Sequence, residues 1–285
     1  MTNEFSLSDL VPGGEQVTVL DVGAMAIGSG GPIYAPLYGY ENFRVLGFEP
    51  DETECRKLNE SSDNRFHFYP HFAGDGGKAT YFETNMTMTG SLYEPNTRLL
   101  EKFQNLAELT TVVATHQVAT MRLDDIEGLD DVDLFKIDVQ GAELKVFENA
   151  TRVLSAATVI HTEVEFVEMY KGQPLFADVD KFLRAEGFQF HTFHNYGSRC
   201  FKPITVENNI NKGLNQRLWA DVIYVRDFMA LDELSAVKLL KMAAILNDVY
   251  QSFDLCHTII EAADKQTGAA SAKDYLARLA NSGGN

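Results

Sequence analysis

Between residues 134 and 147 the chain reads LFKIDVQGAELKVF. Leu134, Phe135, Ile137 and Val139 suit a buried strand, yet Lys136 and Asp138 place two ionised groups in it. Directly afterwards Gln140-Gly141-Ala142-Glu143 changes to a helical period. Acids recur at the same place in other apolar runs. VTVLDV carries Asp21 near its end and is followed by Gly23 and Ala24; FRVLGFE ends in Glu49 and is followed by Pro50; ATVIHTEVEF carries Glu163 and Glu165. Carboxylates gathered in one cleft can hold cations and hydroxyl groups, and one of them can take the proton of an alcohol. Lys136 lies two positions before Asp138, hence on the same face of an extended chain. There it either holds neighbouring acids ionised or pairs structurally with Asp125 or Glu143.

Strands must carry these groups. Residues 17–22, 43–49, 66–72, 132–138, 157–166, 188–193 and 220–225 read as seven strands, several continuously apolar as in a sheet covered on both faces. GAELKVFENATRVL predicts a helix with Leu144, Phe147, Thr151 and Leu154 on one stripe. FADVDKFLRAEG predicts another, with Phe176, Val179, Phe182 and Leu183 inward and Gly187 as its stop. Alternating strand and helix implies an α/β fold: a Rossmann-like, mostly parallel seven-stranded sheet with helices on both faces. KATYFETN and TTVVATHQVATMRL read as extra strands around residues 85–96, either a lid over a ligand or a hairpin elaboration. Residues 1–228 form the main domain, and 229–285 a C-terminal helical extension that opens with one amphipathic helix, LDELSAVKLLKMAAILNDVYQSF. The extension packs on the sheet, where it partly covers the cleft or mediates a homodimer.

In such a sheet the ligand lies outside the carboxyl ends of the strands, where the acids gather. A dinucleotide site would read GxGxxG, so that backbone amides hold a pyrophosphate. Here the turn runs from Gly23 to Gly28 without the middle glycine, and it is entered from Asp21, which repels phosphate. S-adenosylmethionine (SAM) makes the complementary demands: no phosphate, a cationic amino group, a sulfonium and a ribose diol. Asp21 suits the amino-acid end, and Glu49 suits the ribose hydroxyls. An NAD(P)-dependent oxidoreductase, or a relic that binds SAM and recruits partners without turnover, are the competing readings.

The segments VLDVGA, VLGFEP, MRLDDI, DLFKIDVQGAEL, TEVEFVEMYKGQPLF and FLRAEGF resemble, in order and spacing, the FkbM-type SAM-dependent methyltransferases, over roughly residues 17–227. The resemblance implies a Rossmann-like class I methyltransferase fold and O-methylation of a hydroxyl on a small molecule, sugar, glycan or secondary metabolite. That family usually continues its first motif as D-x-G-A-N-x-G; here Met25 replaces the asparagine and Gly28 lies one residue further on. The candidate SAM-binding residues are Asp21, Gly23, Ala24, Met25, Glu49, Pro50, Phe72, Ala73 and Asp138. The candidate catalytic residues are Asp138, Glu163, Glu165, Lys136 and His194, with His194 expected on a loop at the rim. His161 shares a strand face with Glu163 and Glu165, as base or as a satisfied core residue. No dedicated metal site is assigned, although Asp138, Glu163, Glu165 and Asp124-Asp125 are hard oxygen donors that would suit Mg²⁺.

The 285 residues are 45% hydrophobic, enough to bury a full core, and a formal net charge of −17 opposes nucleic-acid binding. Cys55, Cys200 and Cys256 are isolated, which fits a reducing compartment and no disulfide framework. The first residues lack the pattern of a signal peptide, and no apolar stretch is long enough for a membrane span, so the expectation is a cytoplasmic protein without membrane partners.

Overall fold

The computed structural model describes residues 5–23, 31–61 and 63–282. In chain order the strands are β1 (Val17–Val22), β2 (Phe43–Phe48), β3 (Phe66–Tyr69), β4 (Phe72–Ala73), β5 (Lys78–Thr84), β6 (Val112–Met121), β7 (Leu134–Ile137), β8 (Val159–Glu165), β9 (Phe188–Ser198) and β10 (Arg217–Arg226). The helices are α1 (Glu52–Ser61), α2 (Thr97–Leu100), α3 (Leu106–Leu109), α4 (Glu143–Phe147), α5 (Thr151–Ala156), α6 (Phe176–Ala185), α7 (Ala236–Asp248), α8 (Phe253–Thr267) and α9 (Ser271–Ser282). Seven strands form one sheet in the order β3-β2-β1-β7-β8-β10-β9. It is parallel from β3 to β8, and β10 runs antiparallel to both β8 and β9. This is the Rossmann-like class I methyltransferase arrangement.

The alternation along each strand sorts side chains into two cores. One face buries Leu20, Val22, Leu46, Phe48, Phe135, Ile137 and Ile160 against Val146, Phe147, Val153, Leu154, Val179 and Leu183 of α4–α6. The other buries Val17, Val19, Val45, Leu134, Val159, Ile223 and Val225 against Leu239, Met242, Ile245, Ile259, Ile260 and Tyr275 of α7–α9. The C-terminal helices therefore complete the sheet's core. On the face they cover, the strands start apolar and end ionised: Val17-Val19-Asp21, Leu134-Lys136-Asp138 and Val159-His161-Glu163-Glu165. In the ladder Asp21 pairs with Lys136, Lys136 with His161, and Glu163 with Asp221.

Several elements differ from the sequence expectation. Pro70 has no N–H to offer a ladder, so the strand expected over 66–72 ends at Tyr69, and Phe72–Ala73 joins a second, three-stranded sheet, β4-β6-β5. The helix expected over 141–154 breaks into α4 and α5, because the Asp124 carboxylate accepts the backbone N–H groups of Arg152 (3.0 Å) and Val153 (3.2 Å) and caps a separate helix. Thr151 is consequently exposed rather than inward, and its hydroxyl binds Asp124. The amphipathic stretch at 231–253 divides at Gln251, whose φ is 54°, into α7 and the start of α8. Strands β5 and β6 are an antiparallel pair, and the residues between them pack back through the bridges Phe82–Ser91 and Pro95–Tyr170. The three cysteines are buried free thiols. No helix among the described residues is long and apolar enough to cross a membrane.

A charged clamp docks α7 on the sheet. Asp133, fully buried before β7, accepts the Thr18 N–H at 3.0 Å and lies 2.7 Å from Lys238 Nζ. Lys241 Nζ, itself 1% exposed, is 3.5 Å from the second Asp133 oxygen. Removing one member of such a group leaves buried charge uncompensated, at a cost of roughly 3–5 kcal/mol. Asp133→Ala should therefore lose stability on that scale in urea unfolding; a loss below about 1 kcal/mol would show that the clamp does not hold α7.

Candidate active site

The carboxyl edge of β1, β2, β7 and β8 carries the acids. Asp21, 4% exposed, faces Lys136 on the neighbouring strand, with Nζ 3.0 Å from Oδ1. The Tyr34 hydroxyl donates to its other oxygen at 2.8 Å. Oδ1 has no aligned hydrogen bond among the described residues. Burial alone would lower the Lys136 pKa, but Asp21, Asp138 and Asp221 around it outweigh burial and raise it, so Lys136 stays cationic. Its partner is thus Asp21, rather than the Asp125 or Glu143 considered from sequence.

Between β1 and β7 the backbones nearly touch. Gly23 has φ of +86°, and a Cβ there would lie 2.0 Å from the Asp138 carbonyl oxygen. Only glycine permits that approach. Ala24 and Met25 lie outside the described residues. Glu49 is 7% exposed after β2; its Oε1 accepts the Asp51 N–H at 2.9 Å, whereas Oε2 has no hydrogen bond within the described chain. Burial raises its pKa. Pro50 follows half-buried, Ala73 is buried, and the half-buried Phe72 ring lies 5.0 Å from that of Tyr81.

Beyond β7 the chain turns through Gln140, a non-glycine residue at φ 55°. Its amide NH₂ donates to Asp138 Oδ1 at 2.8 Å and to Glu163 Oε2 at 2.9 Å. Two carboxylate acceptors fix which end of the amide carries nitrogen. The Tyr170 hydroxyl lies 3.1 Å from Gln140 Oε1 and 2.9 Å from the Thr89 carbonyl. Ser91 Oγ donates to the Gln140 carbonyl at 2.6 Å, so residues 85–96 pack against this turn. Glu143 does not simply face the dipole of α4; it bends back to accept the Val139 N–H at 2.8 Å, and burial pushes its pKa up to about 7. Burial, with Asp138 nearby, also raises Glu163 well above the carboxylate range. Glu165 rises in the same way, through burial and then Glu143 and Asp138. Glu163 is half-buried and Glu165 only 3% exposed. Gln173 packs over Gly141, and its side chain lies beside Glu165 and lowers that carboxyl's pKa against the effect of burial.

His194 is exposed, but β9 runs on to Ser198, so it stands on a strand and not on the expected loop. Its ring is 5.7 Å from that of His161, and burial followed by His161 lowers its pKa. His161 is a satisfied residue: Nδ1 lies 3.1 Å from the Tyr250 hydroxyl and Nε2 3.9 Å from Asp221. Asp124 is committed to its helix cap. Among the described residues no group of three or more His, Cys, Asp or Glu side chains is arranged to hold a metal ion, so the Mg²⁺ expectation finds no support. Sequence reasoning overlooked Gln140, Tyr34 and Asp221. For Asp221 the signal was present, as an acid inside the apolar run ADVIYV.

A model of the methyltransferase FkbM domain matches residues 21–190, more than half of the chain. The chain belongs to the FkbM methyltransferase family. It is 30% identical over 151 residues to the 2-O-methyltransferase NoeI of Sinorhizobium fredii (strain NBRC 101917 / NGR234), covering 48% of this chain and 60% of that relative. Among solved structures, the magnesium protoporphyrin IX methyltransferase of Synechocystis PCC 6803 with bound SAM aligns at TM-score 0.37 and 13% identity, covering 78% of this chain and 76% of that one. The LepI complex with SAM aligns at TM-score 0.32 and 10% identity, covering 78% and 47%. Superpositions this loose say nothing about ligands.

Two outcomes follow from the buried charges of this FkbM domain. Lys136→Met strands Asp21 and should cost about 3–5 kcal/mol, much of it recovered in Lys136→Met/Asp21→Asn; a double variant as unstable as the single one would show that charge pairing is not the cause. Glu143 prefers its proton in the folded state, so its contribution is full below its ordinary value of 4.5 and is lost as pH rises through about 7. Melting temperature should fall across that window, and less steeply for Glu143→Gln, which should melt a few degrees above the parent at pH 8 and level with it at pH 5. Parallel curves would contradict this.

Proposed function

We propose that this protein is a SAM-dependent O-methyltransferase that methylates a hydroxyl of a small molecule, sugar or glycan, or secondary metabolite. The observation that carries the reading is Glu49: a buried acid directly after β2, one oxygen tied to the Asp51 N–H and the other without a hydrogen bond among the described residues. An acceptor of that kind suits a ribose diol. Gly23 lies against the Asp138 carbonyl, and Asp21 lies beside it, paired with Lys136 at 3.0 Å and bonded by Tyr34. The set of acceptors fits a cationic amino acid and opposes a pyrophosphate, which disfavours NAD(P). Family membership and the 2-O-methyltransferase relative support the same choice.

Glu49 would hold the ribose, with Phe72 and Ala73 nearby as apolar surface, and Asp21 and Asp138 would face the cationic end. When bound, SAM supplies a methyl group already activated on a sulfonium. The protein's remaining work is to orient the acceptor and remove its proton. Glu163 is the favoured base: it is more open than Glu165, is fixed by the Gln140 amide, and its raised pKa makes its carboxylate, once deprotonated, a stronger proton acceptor. Lys136 pairs with Asp21. His194, neutral near pH 7 because its pKa is lowered, is the second candidate at the rim.

In isothermal titration the demethylated product S-adenosylhomocysteine (SAH) should bind, and Glu49→Ala should weaken it at least tenfold; an unchanged Kd would remove Glu49 from the site. Glu163→Gln should lower kcat by about 10²–10⁴ while leaving SAH affinity intact. Because the carboxyl must be deprotonated to accept a proton, the parent rate should rise with pH through a limb above the usual carboxylate range. A limb retained by Glu163→Gln would assign the base elsewhere.

A further inference from the structure

A cleft of about 400 Å³ opens at the same edge of the sheet, lined by Asn195, Ser198, Arg199, Lys212, Trp219 and Asp221 among others. Trp219 pairs with Glu165 and Asp221 with Glu163, so the cleft adjoins the favoured base. Its wall is built closely. A Cβ on Gly197 would meet Trp219 Cε2 at 1.8 Å, so the indole lies directly on that glycine, and a Cβ on Gly213 would meet Ser198 Oγ at 2.3 Å. The Arg199 guanidinium is held over the indole with Cζ 5.3 Å from the ring centroid.

Arg199 differs from Arg226 and Arg152, two other partly buried arginines. Arg226 donates to the carbonyls of Ala157, Glu186 and Leu154. Arg152 pairs with Asp130 and donates to the carbonyls of Asp124 and Ile126. Arg199 gives one hydrogen bond, to the adjacent Ser198 carbonyl at 2.9 Å; its Nε is buried with no partner, and no carboxylate among the described residues pairs with it. Asp221 shares the cleft but is engaged by Asn195 at 3.1 Å and by His161. Lys212 pairs with Glu207. In a chain of net charge −17, a cation without a carboxylate partner inside a cleft next to the base is suited to an anion from outside the chain. A guanidinium offers a fork of donors that matches an oxyanion, and stacking on Trp219 fixes its plane.

We propose that the cleft recognises an acceptor bearing an oxyanion (carboxylate, sulfate or phosphoryl), which Arg199 grips while the acceptor's hydroxyl lies toward Glu163. The assignment rests on the methyltransferase reading for the hydroxyl, but the anion grip is measurable by itself. With the full chain at constant ionic strength, binding of methyl glucuronide, sodium sulfate and the neutral methyl glucoside is followed by titration, with SAH titrated separately. The glucuronide, sulfate or both should bind at least tenfold more tightly than the glucoside, and Arg199→Gln should abolish the difference while its SAH affinity stays that of the parent. A response to glucuronide alone assigns a planar carboxylate; a response to sulfate assigns a tetrahedral group. Should Arg199→Gln not fold, phenylglyoxal labelling of Arg199 in the parent chain, mapped by peptide mass, should be slowed by the anion and not by the glucoside. Equal binding of charged and neutral probes, no binding of either anion, or anion binding unchanged in Arg199→Gln would overturn the proposal. Loss of SAH binding alone would instead count against the methyltransferase reading.

Discussion

The structure depends on one boundary across a single face of its sheet. Below it, α7–α9 cover Val17, Val19, Leu134 and Val159; above it, the same alternation delivers Asp21, Lys136, His161, Asp138 and Glu163. The Asp21–Lys136 pair lies at that line, where an acid alone would be too costly to bury. The lysine has little access to solvent and is surrounded by acids, so its charge is retained and offsets theirs. With it in place, carboxylates can be brought together at the strand ends without each having to take up a proton.

Further along the edge no second lysine is supplied among the described residues, and the chemistry changes. Glu143, Glu163 and Glu165 lie among other acids in partial or full burial, and their pKa values rise. The Gln140 amide compensates in part by donating to Asp138 and Glu163 together, from a left-handed backbone that a side chain adopts only when its surroundings hold it there. Ser91 and Tyr170 supply that hold, and through them residues 85–96 are coupled to the turn. One end of the edge therefore carries the Asp21–Lys136 pair, and the other a set of carboxyls with raised pKa values beside a cleft.

The strands and the acids that end them were legible in the sequence because both follow from local alternation. The family too was legible, since its motifs are contiguous. Features that depend on distant partners were not. The break between α4 and α5 is made by Asp124, which precedes them by a whole strand, and Lys136 finds Asp21 only because β1 lies beside β7 in the sheet. His194 was placed on a loop because its apolar run stops at Phe193; pairing with β10, with its register shifts, carries the strand to Ser198. Arg199 and Gln140 look like ordinary loop residues until their neighbours are known. The strand break at Pro70 could have been read, because proline cannot complete a ladder.

A crystal structure of the protein with SAH tests the central claim most directly. The account predicts SAH along the carboxyl edge, its ribose hydroxyls within hydrogen-bond distance of Glu49 and its amino group among Asp21 and Asp138. SAH bound elsewhere, or lying at that edge without contact to Glu49 or Asp21, would contradict it.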